Sequence, residues 1–364
     1  LLTIINRTKS EHHIVTKGKL LLLFIGAGLL TYPLLPLSSD YVLHVMTLAM
    51  VYMILAMGLN IVPGFCGLLD LGYVGFYGIG AYTAGLLTIH YGLPFWVIVP
   101  LAALNGALWG VLLGAPTLRL TGDYFAIVTF GFSELVVLFL TNEIWLTRGP
   151  LGLPGIQPIT LNLSWLNKAW YFEFYEKTPN FYIAALMVAL VYFIMCRMED
   201  SRLGRAWYAI REDPLAAASC GVNILNYKVI AFAISAGIGA VGGCFYARWS
   251  MFLSPDMFKF WESFLVLCMV VLGGLGNIKG ALLGAVILVC LGEILRESLT
   301  AIGLPAETRF IAYGLIMVLI MRFKPSGFFP AVASSGRSNP LLIDLQKRLA
   351  AGAAAKEKSR DSAA

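Results

Sequence analysis

Residues able to do chemistry are scarce in this chain of 364 residues, and one stretch concentrates them. Ser201 to Asn223 reads SRLGRAWYAIREDPLAAASCGVN and carries Arg202, Arg205, Arg211, Glu212 and Asp213. These residue types suit polar contact with another protein. Asp213 is placed to cap a helix, Pro214 suits its first turn, and the run from Leu215 through Ala216 and Ala217 continues it. Gly221 is placed to end it. The expectation is a helix over about 214–220, with small residues that let a partner approach closely. Upstream, Gly204 to Ile210 contains no Pro and suits a second short helix. In this reading Arg205, Arg211, Glu212 and Asp213 orient the contact at its rim, and Leu215, Ala216 and Ala217 fill it. An ordinary basic loop between two membrane spans has the same composition, and the residues alone leave both readings open.

Other chemical constellations fail on spacing. The six cysteines, at 66, 196, 220, 244, 268 and 290, are scattered singly and match neither a metal site nor a disulfide framework. The histidines at 12, 13, 44 and 90 form no cluster with carboxylates or cysteines. Gly273-Gly274-Leu275-Gly276 lacks the strand–loop–helix setting of a dinucleotide site, and no phosphate loop of the GxxxxGK[ST] kind occurs. No enzyme signature, metal or cofactor is therefore expected. Glu134 lies midway along an apolar run, where an uncompensated carboxylate costs about 2.5–3.5 kcal/mol. It is expected to be structural, held protonated or hydrogen-bonded. Glu293, Arg296 and Glu297 share one helical side at i, i+3 and i+4, and read as a helix-end network with Arg309. An ion-coupling carboxylate at Glu134 or Glu293 is the competing reading.

The elements that must position these residues are membrane helices. The chain is 59% hydrophobic and 13% charged, against about 25% charged in a soluble domain. Many apolar runs approach 20 residues, which predicts an all-α, polytopic helical membrane protein in a lipid bilayer. Ten spans are expected, over about 20–37, 41–62, 73–90, 95–115, 124–142, 181–196, 228–247, 263–276, 280–299 and 307–322. The third and eighth are Gly-rich or short and suit broken or re-entrant helices. With the N-terminus in the cytoplasm, alternation leaves seven of the 26 Lys and Arg outside, at 148, 168, 177, 248, 259, 296 and 309. The inside excess supports this orientation, with both termini cytoplasmic. It also explains the net charge of +6 without nucleic acid. The expected organisation is a cytoplasmic segment over 1–19, a transmembrane domain over 20–322 with the polar segment at 197–227, and a disordered cytoplasmic tail over 323–364. The outside loop 143–180 carries Trp145, Trp165 and Trp170, as an interfacial segment would.

Several motifs occur together in one order. They are Leu59-Asn60, Gly67-Leu-Leu-Asp-Leu-Gly72, Gly80-Ala-Tyr82, Leu118-Arg-Leu-Thr-Gly-Asp-Tyr-Phe-Ala-Ile127 and Thr147-Arg-Gly-Pro-Leu-Gly-Leu153. Gly204-Arg-Ala-Trp-Tyr-Ala-Ile-Arg-Glu-Asp-Pro214, Ala216-Ala217, Gly221-Val-Asn223, Lys228 and Gly273-Gly-Leu-Gly276 follow. As a set, over about 59–285, this resembles the permease subunits of bacterial ABC importers for branched-chain amino acids, and among them the longer of the two homologous permeases. The resemblance implies a type II importer permease fold in the inner membrane. It implies as partners a second homologous permease, two ABC ATPase subunits and a periplasmic binding protein. ATP hydrolysis would then reside on other chains, and the polar segment would be the coupling element docked on an ATPase. Importers of urea and short amides share much of this pattern. An ion-coupled secondary transporter is the more distant alternative.

Overall fold

The computed structural model describes residues 39–117, 122–162, 171–173, 177–301, 305, 308–324 and 327–329. All belong to one compact unit, Leu1–Pro330. The expected span over 20–37, both terminal segments and residues 118–121 lie outside the described residues, as do Trp165 and Trp170.

Every other expected span falls on a helix. The long helices are α1 (Asp40–Leu59), α2 (Tyr73–Tyr91), α3 (Phe95–Thr117) and α4 (Asp123–Asn142). A four-residue helix, α5 (Ile144–Thr147), precedes α6 (Lys177–Glu199). The polar stretch forms α7 (Arg202–Glu212) and α8 (Pro214–Ser219). Then come α9 (Ile224–Ser250), α10 (Phe260–Gly273), α11 (Ile278–Ala301) and α12 (Arg309–Phe323). Among the described residues, six segments are long and apolar enough to cross a membrane: 40–65, 95–117, 123–142, 178–199, 224–250 and 278–299. Glycine dilutes the hydropathy of α2, while α10, at 14 residues, and α12, at 15, are short. The chain is a multi-pass helical membrane protein.

Helix α9 is central and packs against α1, α2 and α3. The approach is close because small residues meet at the crossings. A Cβ placed on Gly243 would overlap the Tyr77 carbonyl oxygen of α2, and one on Gly80 would overlap the Ala240 backbone of α9. On α3, Gly106 and Gly110 abut Ala240 and Ala236 of α9. The opposite side of α3 exposes Val97, Leu101, Leu104, Leu108 and Val111 at helical spacing. A water-soluble fold would bury such a stripe, whereas lipid accommodates it.

The break before α2 departs from the expected position of an irregularity inside the third span. Helix α2 is continuous, and the irregular backbone lies at 60–72, where a π-helical turn (Ile61–Phe65) is followed by non-helical chain. Irregular backbone at membrane depth needs partners from the protein. Here the Thr129 hydroxyl accepts from Leu71 N–H at 3.2 Å and the Asp70 carboxylate from Gly72 N–H at 2.9 Å. The Ser263 hydroxyl accepts from Val74 N–H at 3.1 Å. The expected irregularity at the eighth span appears as the stop of α10 at Gly273. Phe328 N–H and Phe329 N–H satisfy the carbonyls of Leu272 and Gly273 there, each at 3.0 Å.

At the other end of the bundle, two short ladders organise the long connections. Strand β1 (Leu153–Pro154) pairs antiparallel with β4 (Phe252–Leu253), and β2 (Thr160–Asn162) pairs with β3 (Tyr171–Glu173). The turn chemistry expected at 148–155 is present: Arg148, Gly149, Gly152 and Gly155 all have positive φ. The Thr147 hydroxyl donates to the Leu140 carbonyl at 2.6 Å, anchoring this loop on α4.

Gly243→Val is expected to separate α2 from α9, because the added carbon meets main chain that cannot rotate away. The measurement is the thermal unfolding midpoint and yield of detergent-purified protein. A drop is expected, and Gly131→Ala on α4, where a Cβ meets nothing within 4 Å, should leave both unchanged.

Candidate functional site

The polar stretch folds as two short helices set at an angle by one residue. Ser201 caps α7, its hydroxyl accepting from Leu203 N–H at 3.1 Å. Asp213 is extended, with φ −152° and ψ 105°, and caps α8 by accepting from Leu215 N–H at 2.9 Å and Ala216 N–H at 3.1 Å. Pro214 occupies the first turn, where its missing N–H costs nothing. Gly221, with φ +83°, ends the unit. The observed α8, 214–219, agrees with the expected 214–220, and α7 extends the expected upstream piece by two residues at each end.

The two helices have different surroundings. Helix α7 is bound into the chain. Trp207 is buried, and its indole N–H donates to the Tyr227 carbonyl of α9 at 2.9 Å. Phe65, in the π-helical turn, stacks on Trp207 with ring centroids 6.3 Å apart and lies 5.3 Å from the Tyr208 ring. The Tyr208 hydroxyl donates to Glu199 at 3.0 Å and lies 3.4 Å from the Gly276 carbonyl. Burial, and then the Glu199 carboxylate beside it, push the Tyr208 phenol above its ordinary pKa, so it remains a donor. Gly204 packs so close to the Met198 and Glu199 carbonyls that a Cβ would overlap them.

Arg211 makes the connection that the residue pattern does not reveal. Its guanidinium donates to the Gly64 carbonyl at the break after α1. One turn earlier, Asn60 Oδ1 accepts from Gly276 N–H at 2.9 Å. Gly67, with φ +72°, allows the chain to turn under Arg211, and a Cβ there would sit 3.2 Å from the Arg211 Cγ. The break at 60–68, the turn at 274–277 and helix α7 thus form one hydrogen-bonded junction. Gly67 and Gly276, one from each Gly-rich motif, both lie in it.

Helix α8 stands outside this junction. Leu215 is 80% exposed, and Pro214, Ala216, Ala218 and Ser219 are exposed as well. One expectation needs correction. Ala217 was expected among the residues that fill a partner's groove, yet it is 4% exposed and faces its own chain. The capped helix has one side on the protein, and Ala217 falls on that side. Arg211, expected at a rim, is exposed and also donates to the Gly64 carbonyl. Arg205 donates to the Asp200 carbonyl at 2.9 Å and, like Glu212, is exposed.

The remaining candidates are dispersed. Glu134 is half-buried on α4 and has no hydrogen bond or ion pair with another described residue. Arg296 and Glu293 form the expected i, i+3 pair at 3.5 Å, and the Tyr41 hydroxyl joins it by donating to Glu293 at 2.6 Å. The Arg309 side chain lies outside the described residues. All six cysteines are free. Among the described residues no group of His, Cys, Asp and Glu could hold a metal ion.

Trp207→Ala is expected to cost about 3–5 kcal/mol, as for a large buried aromatic. Arg211→Ala should cost less, about 1–3 kcal/mol, because it leaves one buried carbonyl, that of Gly64, without this donor. Thermal unfolding of the purified protein measures both, and a larger loss for Arg211→Ala would contradict this arrangement.

Residues 41–321 match the family described as branched-chain amino acid transport system / permease component. The chain is 41% identical to the high-affinity branched-chain amino acid transport system permease protein LivM of Salmonella typhimurium, over 78% of this chain and 69% of that one. It is 39% identical to LivM of Escherichia coli, over 86% of this chain and 75% of that one. Identity to the LivH permease protein of Escherichia coli is 24%, over 77% of this chain and 92% of that one. No solved structure matches. With its motifs set at the breaks of an apolar helical bundle, this chain belongs to the family of branched-chain amino acid transport system permease components.

Proposed function

We propose that this protein is a transmembrane permease subunit of an ATP-driven importer that carries branched-chain amino acids across the bacterial inner membrane. The observation that carries the reading is the similarity to LivM at about 40% identity over most of both chains. The weaker similarity to LivH supports a second, homologous permease as partner. The full assembly would add two ATPase subunits and a periplasmic binding protein. The type II fold, ten spans and cytoplasmic termini complete the proposal. The charge excess on one side supports that orientation.

Coupling to the ATPases is assigned to α7 and α8. Gly204, Arg205, Arg211, Glu212, Asp213, Pro214, Leu215, Ala216, Ala217 and Gly221 divide into two roles. Leu215 and Ala216 present the contact, with Arg205 and Glu212 at its edge. Gly204, Arg211 and Ala217 hold α7 and α8 against the bundle, while Asp213, Pro214 and Gly221 shape α8. A large apolar side chain 80% exposed on a capped helix suits a groove on a partner better than it suits water. The coupled movement would pass from α8 through α7 to the breaks at 60–68 and 274–277.

Leu215→Asp places a charge in that contact without touching the bundle. Co-purified ATPase and substrate-stimulated hydrolysis in liposomes should fall together, with the unfolding midpoint of the permease unchanged. Wild-type association and transport by this variant would remove α8 from the coupling path. Glu134→Gln should leave ATP-driven uptake largely intact, since nothing in the proposed cycle uses that carboxylate. Loss of uptake with normal assembly would instead favour an ion-coupled step.

A further inference from the structure

We propose that the side of the bundle formed by α4 and the chain between α9 and α10 is the face that meets the second permease within the bilayer. This face carries Glu134, Asp256 and Lys259 at a depth where hydrocarbon disfavours charge. The proposal rests on the importer reading and deepens it by locating the contact between the two permeases.

After α9 the chain does not stay at the end of the bundle remote from α7. Leu253 pairs with Leu153 there and lies beside Gly85 of α2, where a Cβ would sit 3.2 Å from Leu253 Cδ1. A 3-10 turn (Pro255–Phe258) follows, and its Phe258 ring packs edge-on against Tyr77 and Tyr82 of α2, with centroids 5.1 and 5.9 Å away. Ser263 then meets Val74, at the start of α2. From Gly85 to Val74 the descent along α2 is about 16 Å at about 1.5 Å per residue, roughly half the hydrocarbon thickness. Asp256 and Lys259 ride on this descending chain. Their side chains are paired at 2.7 Å and are 75% and 54% exposed, respectively.

Helix α4 flanks this chain. The 3-10 turn packs against it, and the Phe130 and Phe260 rings meet at 4.8 Å. Register gives α4 two sides. Thr129, Ser133 and Val137 are buried. Ile127, Gly131, Glu134 and Leu138 follow one another along the other side, with Ile127 62% and Leu138 53% exposed. Glu134 lies one turn beyond Phe130, about midway along the helix. It is half-buried and has no hydrogen bond or ion pair with another described residue.

Charged residues in the middle of a span face protein or a water-filled cavity, not lipid. A glutamate at that depth is too short to reach either headgroup layer. Helix α3 shows what this chain presents to lipid: Leu101, Leu104 and Leu108 are exposed along it, and the helix contains no ionisable residue. Water at mid-depth needs a second protein wall that keeps lipid away. A direct contact and an aqueous path therefore both place a membrane-embedded partner opposite Glu134. Within the proposed assembly the ATPases and the binding protein lie outside the bilayer, which leaves the second permease. Its side of the contact would carry a hydrogen-bond donor or a cation for Glu134. Gly131, where a Cβ meets nothing within 4 Å, leaves room for that partner to approach.

The test uses the complex assembled in its native membrane. Co-purification of the second permease with wild type tests the importer reading by itself, and its absence would overturn that reading and this face together. A photoreactive probe introduced as Leu138→benzoylphenylalanine should capture the second permease, identified by mass. The same probe as Leu104→benzoylphenylalanine, on the lipid side of α3, should capture no protein. Glu134→Leu should lower the co-purified second permease severalfold, because it leaves the partner's donor unpaired. Glu134→Gln keeps an acceptor and should assemble like wild type. Neither variant disturbs buried packing, so the unfolding midpoint of the isolated permease should not move. If the second permease co-purifies while the probe at Leu138 captures only lipid, or a second copy of this chain, the face is wrong and the importer reading stands. If Glu134→Leu assembles like wild type, no partner group depends on this carboxylate and the face is wrong as well.

Discussion

Backbone that leaves a helix inside a bilayer must find hydrogen-bond partners within the protein. Much of this structure follows from that constraint. The chain departs from helix at 60–72 and again at 274–277, and the two departures serve each other: the Asn60 side chain accepts from Gly276 N–H. Asp70, Thr129 and Ser263 supply the rest of the first break, and Phe328 and Phe329 close the second. Arg211 adds the Gly64 carbonyl from outside the bundle. The polar stretch is thereby more than a loop joining two spans, because part of it completes the backbone of α1.

This arrangement gives the proposed coupling a physical route. A contact on α8 need not reach into the membrane, since α7 already holds both breaks through Trp207, Tyr208 and Arg211. Broken helices bend at their breaks at lower cost than continuous ones. The long crossings of α9 with α2 and α3, where backbones nearly touch at Gly80, Gly106 and Gly243, form the more rigid counterpart. In the proposed cycle α1 and α10 move against that frame.

The sequence revealed parts of this and concealed others for definite reasons. Apolar runs gave the helices, because lipid imposes a composition that water does not. Asp213-Pro214 and Gly221 gave α8, because capping is local chemistry. The direction of Ala217 was not legible: its burial depends on which side of α8 meets the bundle. The partner of Arg211 lies 147 residues away, and a guanidinium in a basic loop carries no mark of a carbonyl it will meet. The pairing of Glu262 with Tyr52 is hidden likewise, by 210 residues of separation, although Glu293 and Arg296 were visible as helical neighbours. The position of the first break was displaced because Gly-rich sequence lowers the hydropathy of a helix even where that helix is continuous.

The central claim is that α7–α8 and the break after α1 move as one body. Two spin labels test it, one on the exposed Cys220 and one at Leu69, which is 43% exposed at the break. Their separation would be measured by pulsed electron resonance in the assembled complex, nucleotide-free and with ATP trapped. The account predicts the same distance distribution in both states. A shift in that distribution on trapping ATP, with the complex still assembled, would show that the segment moves apart from the break and would contradict the account.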